Sequence, residues 1–215
     1  MAWRSHGTTN ATLISSLTRN SLITSPAVAS AMQLIDRAHF VPDPATAYRD
    51  SPQSIGHGAT ISAPHMHAAA AEALVGFLGK GRRVLDVGSG SGFLVGVLGG
   101  LVFGSDVPPT TTTSEGVGGD GAKQGLVVGV EHIEALRALG ERNLGKSEIG
   151  RKWLESGRVR FVLGDGRKGW RGEGGEEGWD VIVSFSDCFL SFVGFLFPFF
   201  ALFLMFLSCW HGSSN

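Results

Sequence analysis

Cysteine is almost missing from this sequence: Cys188 and Cys209 are the two it has, and both lie in its last apolar stretch. Everything before them therefore lacks a disulfide framework and a thiolate metal site, as suits a reducing compartment. An excess of either charge is missing too. The net charge is −1 at pH 7, which excludes a basic field for nucleic acid and an acidic tail. The first residues carry no apolar run of signal-peptide type, so secretion is not expected and a cytoplasmic location is. What the chain has in quantity is glycine, at 32 residues, and that abundance devalues any single Gly-x-Gly match.

The apolar pattern divides the chain into three parts. Residues 1–80 read as helical, with Leu13, Ile14 and Leu17 on one face and Val28, Met32 and Ile35 on another. Pro26 and Pro64 sit where a helix opens, since proline at the first helical position loses no needed donor. The third helix is predicted to run from Pro64 to about Leu78. Residues 41–63, rich in Pro and Gly, are predicted to be loop. Asp36 and Arg37 follow the second helix and are expected as a surface ion pair, worth little by itself.

Residues 81–183 change character. Short apolar runs at 83–87, 126–130, 159–163 and 181–183 alternate with helical segments beginning near Phe93 and around Leu136 and Leu139. Strands alternating with helices imply an α/β fold with a doubly wound parallel sheet. Residues 104–125, built of Pro, Thr, Gly and Ser, read as a flexible insertion between the first of these helices and the second strand. Residues 184–215 are different again, with no charge between Cys188 and Trp210, long enough to span a bilayer.

A glycine-rich turn after a strand lets a cofactor approach the backbone, and the next helix offers its free N–H groups. The spacing selects among cofactors. A dinucleotide loop counted from Gly88 needs its third glycine at position 93, which is Phe93. The pattern is instead Asp86-x-Gly88-x-Gly90-x-Gly92, with Ser89 inside it, and it resembles motif I of the S-adenosylmethionine-dependent methyltransferases. Glu131, followed by His132, ends the next strand, where an acid can accept ribose hydroxyls. Asp165, before Gly166, ends the third and suits an adenine amine.

The wider string is more specific. Asp36-Arg37, residues 50–56, residues 59–67, residues 85–92, residues 156–159 and residues 164–167 are similar to the protein-L-isoaspartate (D-aspartate) O-methyltransferase family, over residues 1 to about 182 with the insertion excepted. The resemblance implies a Rossmann-like sheet with an N-terminal substrate-loop extension, and S-adenosylmethionine as cofactor. It implies methyl transfer to the free α-carboxyl of isoaspartyl and D-aspartyl residues in damaged proteins. The ester then closes to a succinimide that reopens partly as normal aspartate. Ser62 matches the family's active-site serine, Ala59, Thr60 and Ile61 help line the site, and His67 matches a residue of the cofactor and substrate pocket. Isoaspartyl proteins and peptides are the implied partners, and a monomer is expected. By itself, Ser62 is equally suited to cap the helix opening at Pro64. His65 and His67, without a cysteine or acidic ligand close in sequence, do not predict a metal site.

After Ile182 the family pattern stops, where further strands are expected. Two accounts of the tail compete: a membrane anchor, or translated intron, since Val183-Ser184 can be encoded by GTG-AGT, which resembles a splice donor. Under either, the sheet is expected to be incomplete, with an unpaired edge on the fourth strand. The rivals to an active enzyme are therefore an impaired cofactor-binding remnant and a tail-anchored membrane protein.

Overall fold

A computed structural model describes residues 5–106, 124–172, 178–184 and 202–205. Two helices open it, α1 (Asn10–Arg19) and α2 (Pro26–Leu34). Thr9 begins α1 with a reciprocal cap: its hydroxyl accepts from the Thr12 backbone while the Thr12 side chain accepts from the Thr9 N–H. A hairpin follows, β1 (Gln53–Gly56) antiparallel to β2 (Ala59–Ile61), and then α3 (Pro64–Leu74). The hairpin corrects the expectation of loop throughout residues 41–63. His57 and Gly58 both take positive φ (53° and 71°), as a two-residue hairpin turn requires. The helix at Pro64 is also shorter than predicted, passing into a 3-10 turn at Val75–Phe77.

The sheet begins with β3 (Arg83–Val87) and continues through β4 (Leu126–Glu131), β5 (Val159–Leu163), β6 (Val181–Ser184) and β7 (Leu202–Met205). All pairs are parallel, in the order β5-β4-β3-β6-β7. The fourth strand's outer edge is thus not bare: β7, from within the tail, pairs with it from Val181↔Leu202 to Ser184↔Met205. The rest of residues 188–210, on which the anchor account depends, lies outside the described residues. Among the described residues no helix is long and apolar enough to cross a membrane. Most of the 104–125 stretch is likewise outside them.

Three helices complete the layer over one face: α4 (Phe93–Phe103), α5 (Glu134–Leu144) and α6 (Glu148–Glu155). α4 is apolar all round, which suits only a helix covered on every side. Its glycines permit that covering. A Cβ on Gly100 would stand 3.0 Å from the Ala31 methyl of α2, and one on Gly99 2.9 Å from the Trp153 ring of α6. Trp153 is fully buried there. α6 is a helix the sequence reading did not predict. Val84, Val127, Val159 and Val181 share a core with α1, α2 and α4, while Leu85, Val87, Val128 and Val130 form a second cluster on the opposite face against Trp170 and Trp179.

One long-range carboxylate ties the N-terminal helices together. Glu72 of α3 accepts from the Thr24 and Ser25 N–H groups (3.0 and 2.9 Å) and from the Thr24 hydroxyl (2.6 Å). Burial pushes its pKa up, but the Thr24 hydroxyl and the backbone donors outweigh this and hold it below the usual value. A depressed acid stabilises above the unfolded pKa and loses that contribution as pH falls through the folded one. Glu72→Ala is expected to cost about 1–2 kcal/mol in urea unfolding at pH 7. The difference from wild type should shrink below about pH 4; a pH-independent difference would mean that packing, not the carboxylate, is at stake.

Candidate functional site

The loop from Gly88 to Gly92 leaves the carboxyl end of β3, the central strand, and turns into α4. Its backbone is bonded across to β4: Gly88 N–H and Ser89 N–H donate to the Val130 carbonyl (2.8 and 3.2 Å). Gly129 makes room for that fold, because a Cβ there would stand 2.8 Å from the Ser89 Cβ. Gly92 takes φ +82° in direct contact with Gly140 of α5. A cleft opens beside this loop, lined by Thr60, Ile61, Ser62 and His67 on one side and by Asp86, Gly88, Ser89, Gly90, Ser91 and Leu94 on the other. The two stretches singled out in the sequence therefore face each other.

Ser62 sits between β2 and α3, half-buried. It does not cap the helix. Ala63 occupies the N-cap position and no side chain bonds there. That leaves the Ser62 hydroxyl available to the cleft. Its carbonyl accepts from Arg37 Nη2–H at 2.8 Å. Arg37 is no surface residue: it is fully buried, with its guanidinium 5.3 Å from the Phe93 ring centre and Nη1 3.4 Å from His67 Nδ1. The expected ion pair with Asp36 is replaced by separate duties. Asp36 accepts from the Ala38 N–H and the Tyr48 hydroxyl, 2.9 Å each. Burial lowers the Arg37 pKa to about 9, opposed by Asp50, so it stays charged near neutrality.

His67 is buried with its ring edge-on to Phe93 at 4.9 Å. Burial first, then Arg37 and His65, hold its pKa well below the usual histidine value, so the imidazole is neutral. Asp50 anchors the start of α3, accepting from the His65 N–H (3.0 Å) and lying 2.7 Å from His65 Nδ1. Among the described residues no cluster of three or more potential metal ligands occurs.

Across the cleft, Asp86 is 2% exposed. Burial, then the Glu131 charge, raise its pKa to about 7. Glu131 ends β4 but turns inward: one carboxylate oxygen accepts from Gly90 N–H (3.0 Å), the other from His132 N–H and Ile133 N–H (2.8 and 3.1 Å). His132 is exposed, with Nδ1 3.0 Å from that second oxygen. Asp165, half-buried, accepts from the Arg167 N–H and guanidinium (3.1, 2.9 and 2.8 Å), and the guanidinium holds its pKa at about 2. Asp165, Gly166, Glu131, His132 and Ala59 do not line the cleft itself. Ser91 and Leu94 do, and the sequence reading did not single them out as site residues.

Several observations fit a cofactor here. Ser89 Oγ is buried with no partner among the described residues. A Cβ on Gly90 would have only Ile55 Cδ1 and a loop carbonyl nearby, at 3.7 and 3.9 Å, so the α-carbon faces open space. The buried Asp86 acid would also be relieved by a cationic neighbour.

A parallel sheet with a glycine loop after β3 and acids ending the next strands defines a Rossmann-like methyltransferase fold. The comparisons with known proteins narrow this. The family model for protein-L-isoaspartate(D-aspartate) O-methyltransferase matches residues 8–183. The chain belongs to that family, and the match ends where the residue pattern does. It is 41% identical over 170 residues to protein-L-isoaspartate O-methyltransferase of Caenorhabditis elegans, covering 79% of this chain and 65% of that protein. With protein-L-isoaspartate O-methyltransferase 1 of Arabidopsis thaliana it shares 38% over 161 residues, 75% of this chain and 61% of that one. The matched stretch thus spans somewhat under two thirds of these relatives' length. A Plasmodium falciparum structure of the same family name, solved in complex with S-adenosyl-L-homocysteine, superposes with a TM-score of 0.68 at 26% identity, covering 83% of this chain and 73% of that one.

Proposed function

We propose that this chain transfers a methyl group from S-adenosylmethionine to the free α-carboxyl of L-isoaspartyl and D-aspartyl residues in damaged proteins. The observation that carries this reading is the cleft that joins Ser62 to the Asp86–Ser91 loop. When bound, S-adenosylmethionine supplies an electrophilic methyl on a sulfonium.

The chain's own residues then divide the work. Gly88, Ser89, Gly90 and Gly166 present backbone to the cofactor, and Asp86 offers the anionic side of the pocket. Glu131 fixes the loop through Gly90 and keeps a lone pair on the same oxygen for a ribose hydroxyl. His132 stands beside it. Asp165 retains acceptor capacity for the adenine amine. Ala59, Thr60 and Ile61 form the strand on which Ser62 is presented, with the Ser62 hydroxyl donating to the substrate carboxylate. No general base is needed, because a carboxylate is ionised at neutral pH. The depressed pKa of His67 agrees with that, since it makes the buried imidazole a weak base. Catalysis rests on holding carboxylate oxygen and methyl in line at attack distance.

Labelled methyl transfer to an isoaspartyl peptide, against its normal aspartyl twin, tests the reading. Selective labelling of the isoaspartyl peptide is expected, and no labelling by folded protein that binds the cofactor would overturn it. Ser62→Ala should lower kcat/KM for the peptide by about 10- to 100-fold, the worth of one hydrogen bond to a charged group, with the cofactor dissociation constant unchanged.

A further inference from the structure

The buried guanidinium behind the cleft has no role in the reading so far. Its contacts fall on two of the residues that line the substrate side. Nη2–H donates to the Ser62 carbonyl (2.8 Å) and Nη1 faces His67 Nδ1 (3.4 Å), while the Phe93 ring supports the guanidinium and the imidazole alike. Arginine can only donate. The imidazole nitrogen facing it must therefore be bare, which leaves the ring proton on Nε2.

We propose that Arg37 is the positioning residue of this site: it pins the backbone of Ser62 and fixes His67 as the Nε2–H tautomer, so that the cleft presents a set pair of donors to a carboxylate. This rests on the methyl-transfer reading for its purpose but not for its geometry. Three features support it. Arg37 is completely buried, and an arginine does not pay for such burial by surface pairing. Its Nε has no partner among the described residues, nor has Asp50 Oδ2, so the guanidinium is held for its two Nη contacts rather than for full satisfaction. And the charge lies on the side of the cleft opposite Asp86, so an anionic substrate group and a cationic cofactor group are drawn to different walls. The titratable groups around His67 are Arg37, His65 and Asp50 behind it and Asp86 across the cleft.

The test uses the full chain labelled with ¹⁵N-histidine. His67→Gln identifies the His67 signals by their loss. In the wild type, His67 should show a protonated Nε2 and a bare Nδ1; a protonated Nδ1 overturns the proposal without any arginine variant. Arg37→Met should abolish the tautomer preference and lower kcat/KM for an isoaspartyl peptide by about 100-fold, as for a misplaced reacting group. Its cofactor dissociation constant should change by less than about threefold, on the ground that the cofactor loop is held from β4 rather than by Arg37. Arg37→Lys, which keeps the charge but not the fork, should fold even where the methionine variant does not and fall between the two in both readouts. A folded Arg37→Met protein with unchanged tautomer and unchanged kcat/KM overturns the proposal. If the wild type shows the expected tautomer but methylates no peptide, the functional reading fails and the positioning by Arg37 stands.

Discussion

Asp86→Asn should make the chain more stable at pH 8 and worse at binding its cofactor. Asp86 is buried in β3, and burial together with Glu131 raises its pKa from the ordinary aspartate value to about 7. The folded state therefore holds this proton more tightly than the unfolded one. Stability from the group is complete below about pH 4 and is lost as pH rises through about 7. A shift of about three units corresponds to roughly 4 kcal/mol, an upper figure for what ionisation costs the fold at pH 8. Asparagine removes that cost while nearly keeping the shape. Urea unfolding of both proteins at pH 5 and pH 8 should show the asparagine variant gaining on wild type by several kcal/mol between the two values. Equal pH dependence would mean that Asp86 does not carry the burden. Binding runs the other way: a cationic ligand relieves the carboxylate, so calorimetric affinity for S-adenosylmethionine should fall at least about tenfold in the variant.

Gly92→Ala is expected to be the most damaging single-methyl change in the loop. Gly92 has φ +82°, which costs a side-chain-bearing residue about 1–2 kcal/mol. Its Cβ would also stand 2.9 Å from the Gly140 Cα, the Gly140 carbonyl oxygen and the Phe161 ring. Backbone cannot swing aside as a side-chain end can, so overpacking adds about 1–3 kcal/mol. The sum, about 3 kcal/mol or more, is a large share of a domain's total stability. Gly58→Ala separates the two terms, since Gly58, in the hairpin turn, has φ +71° with nothing within 4 Å of its Cβ. It should cost only the backbone part, about 1–2 kcal/mol. Equal losses at the two positions would show that the contact with α5 is not what matters.

Four of the five parallel strands, β3 to β6, were legible because each is a short apolar run bounded by glycine or charge, whereas β7 was not expected; the loop was legible because its spacing forbade the dinucleotide alternative at Phe93. The hairpin at β1 and β2 was not. Its strands are very short, and the Pro and Gly that suggested loop include the glycine its turn needs. α6 escaped for a similar reason, since it is only eight residues long and Gly150 interrupts the apolar pattern of Ile149, Trp153 and Leu154. Arg37 was misread on different grounds. A charged residue after a helix is usually solvated, and the partners that bury it, Ser62 and His67, lie 25 and 30 residues away. Ser62 illustrates the converse: local sequence offers it as a helix cap, and only the placement of Ala63 at that position leaves its hydroxyl for the cleft. Asp165 was correctly placed after β5, but its engagement with Arg167 is a side-chain choice that strand pattern does not encode.

The winding of the sheet has a consequence of its own. From β3 the chain steps outward to β4 and β5, then returns to the other flank of β3 for β6. At such a reversal the connections part, and a crevice is left at the carboxyl ends of the strands on either side. The hole by the glycine loop is thus a by-product of connectivity, present before any side chain is chosen. Substitution can change what enters it or how tightly, but cannot move it without rewinding the chain. That is also how an acid as enclosed as Asp86 can still meet a ligand: it is shut in by the strands beside it and open only at the place where their order turns back.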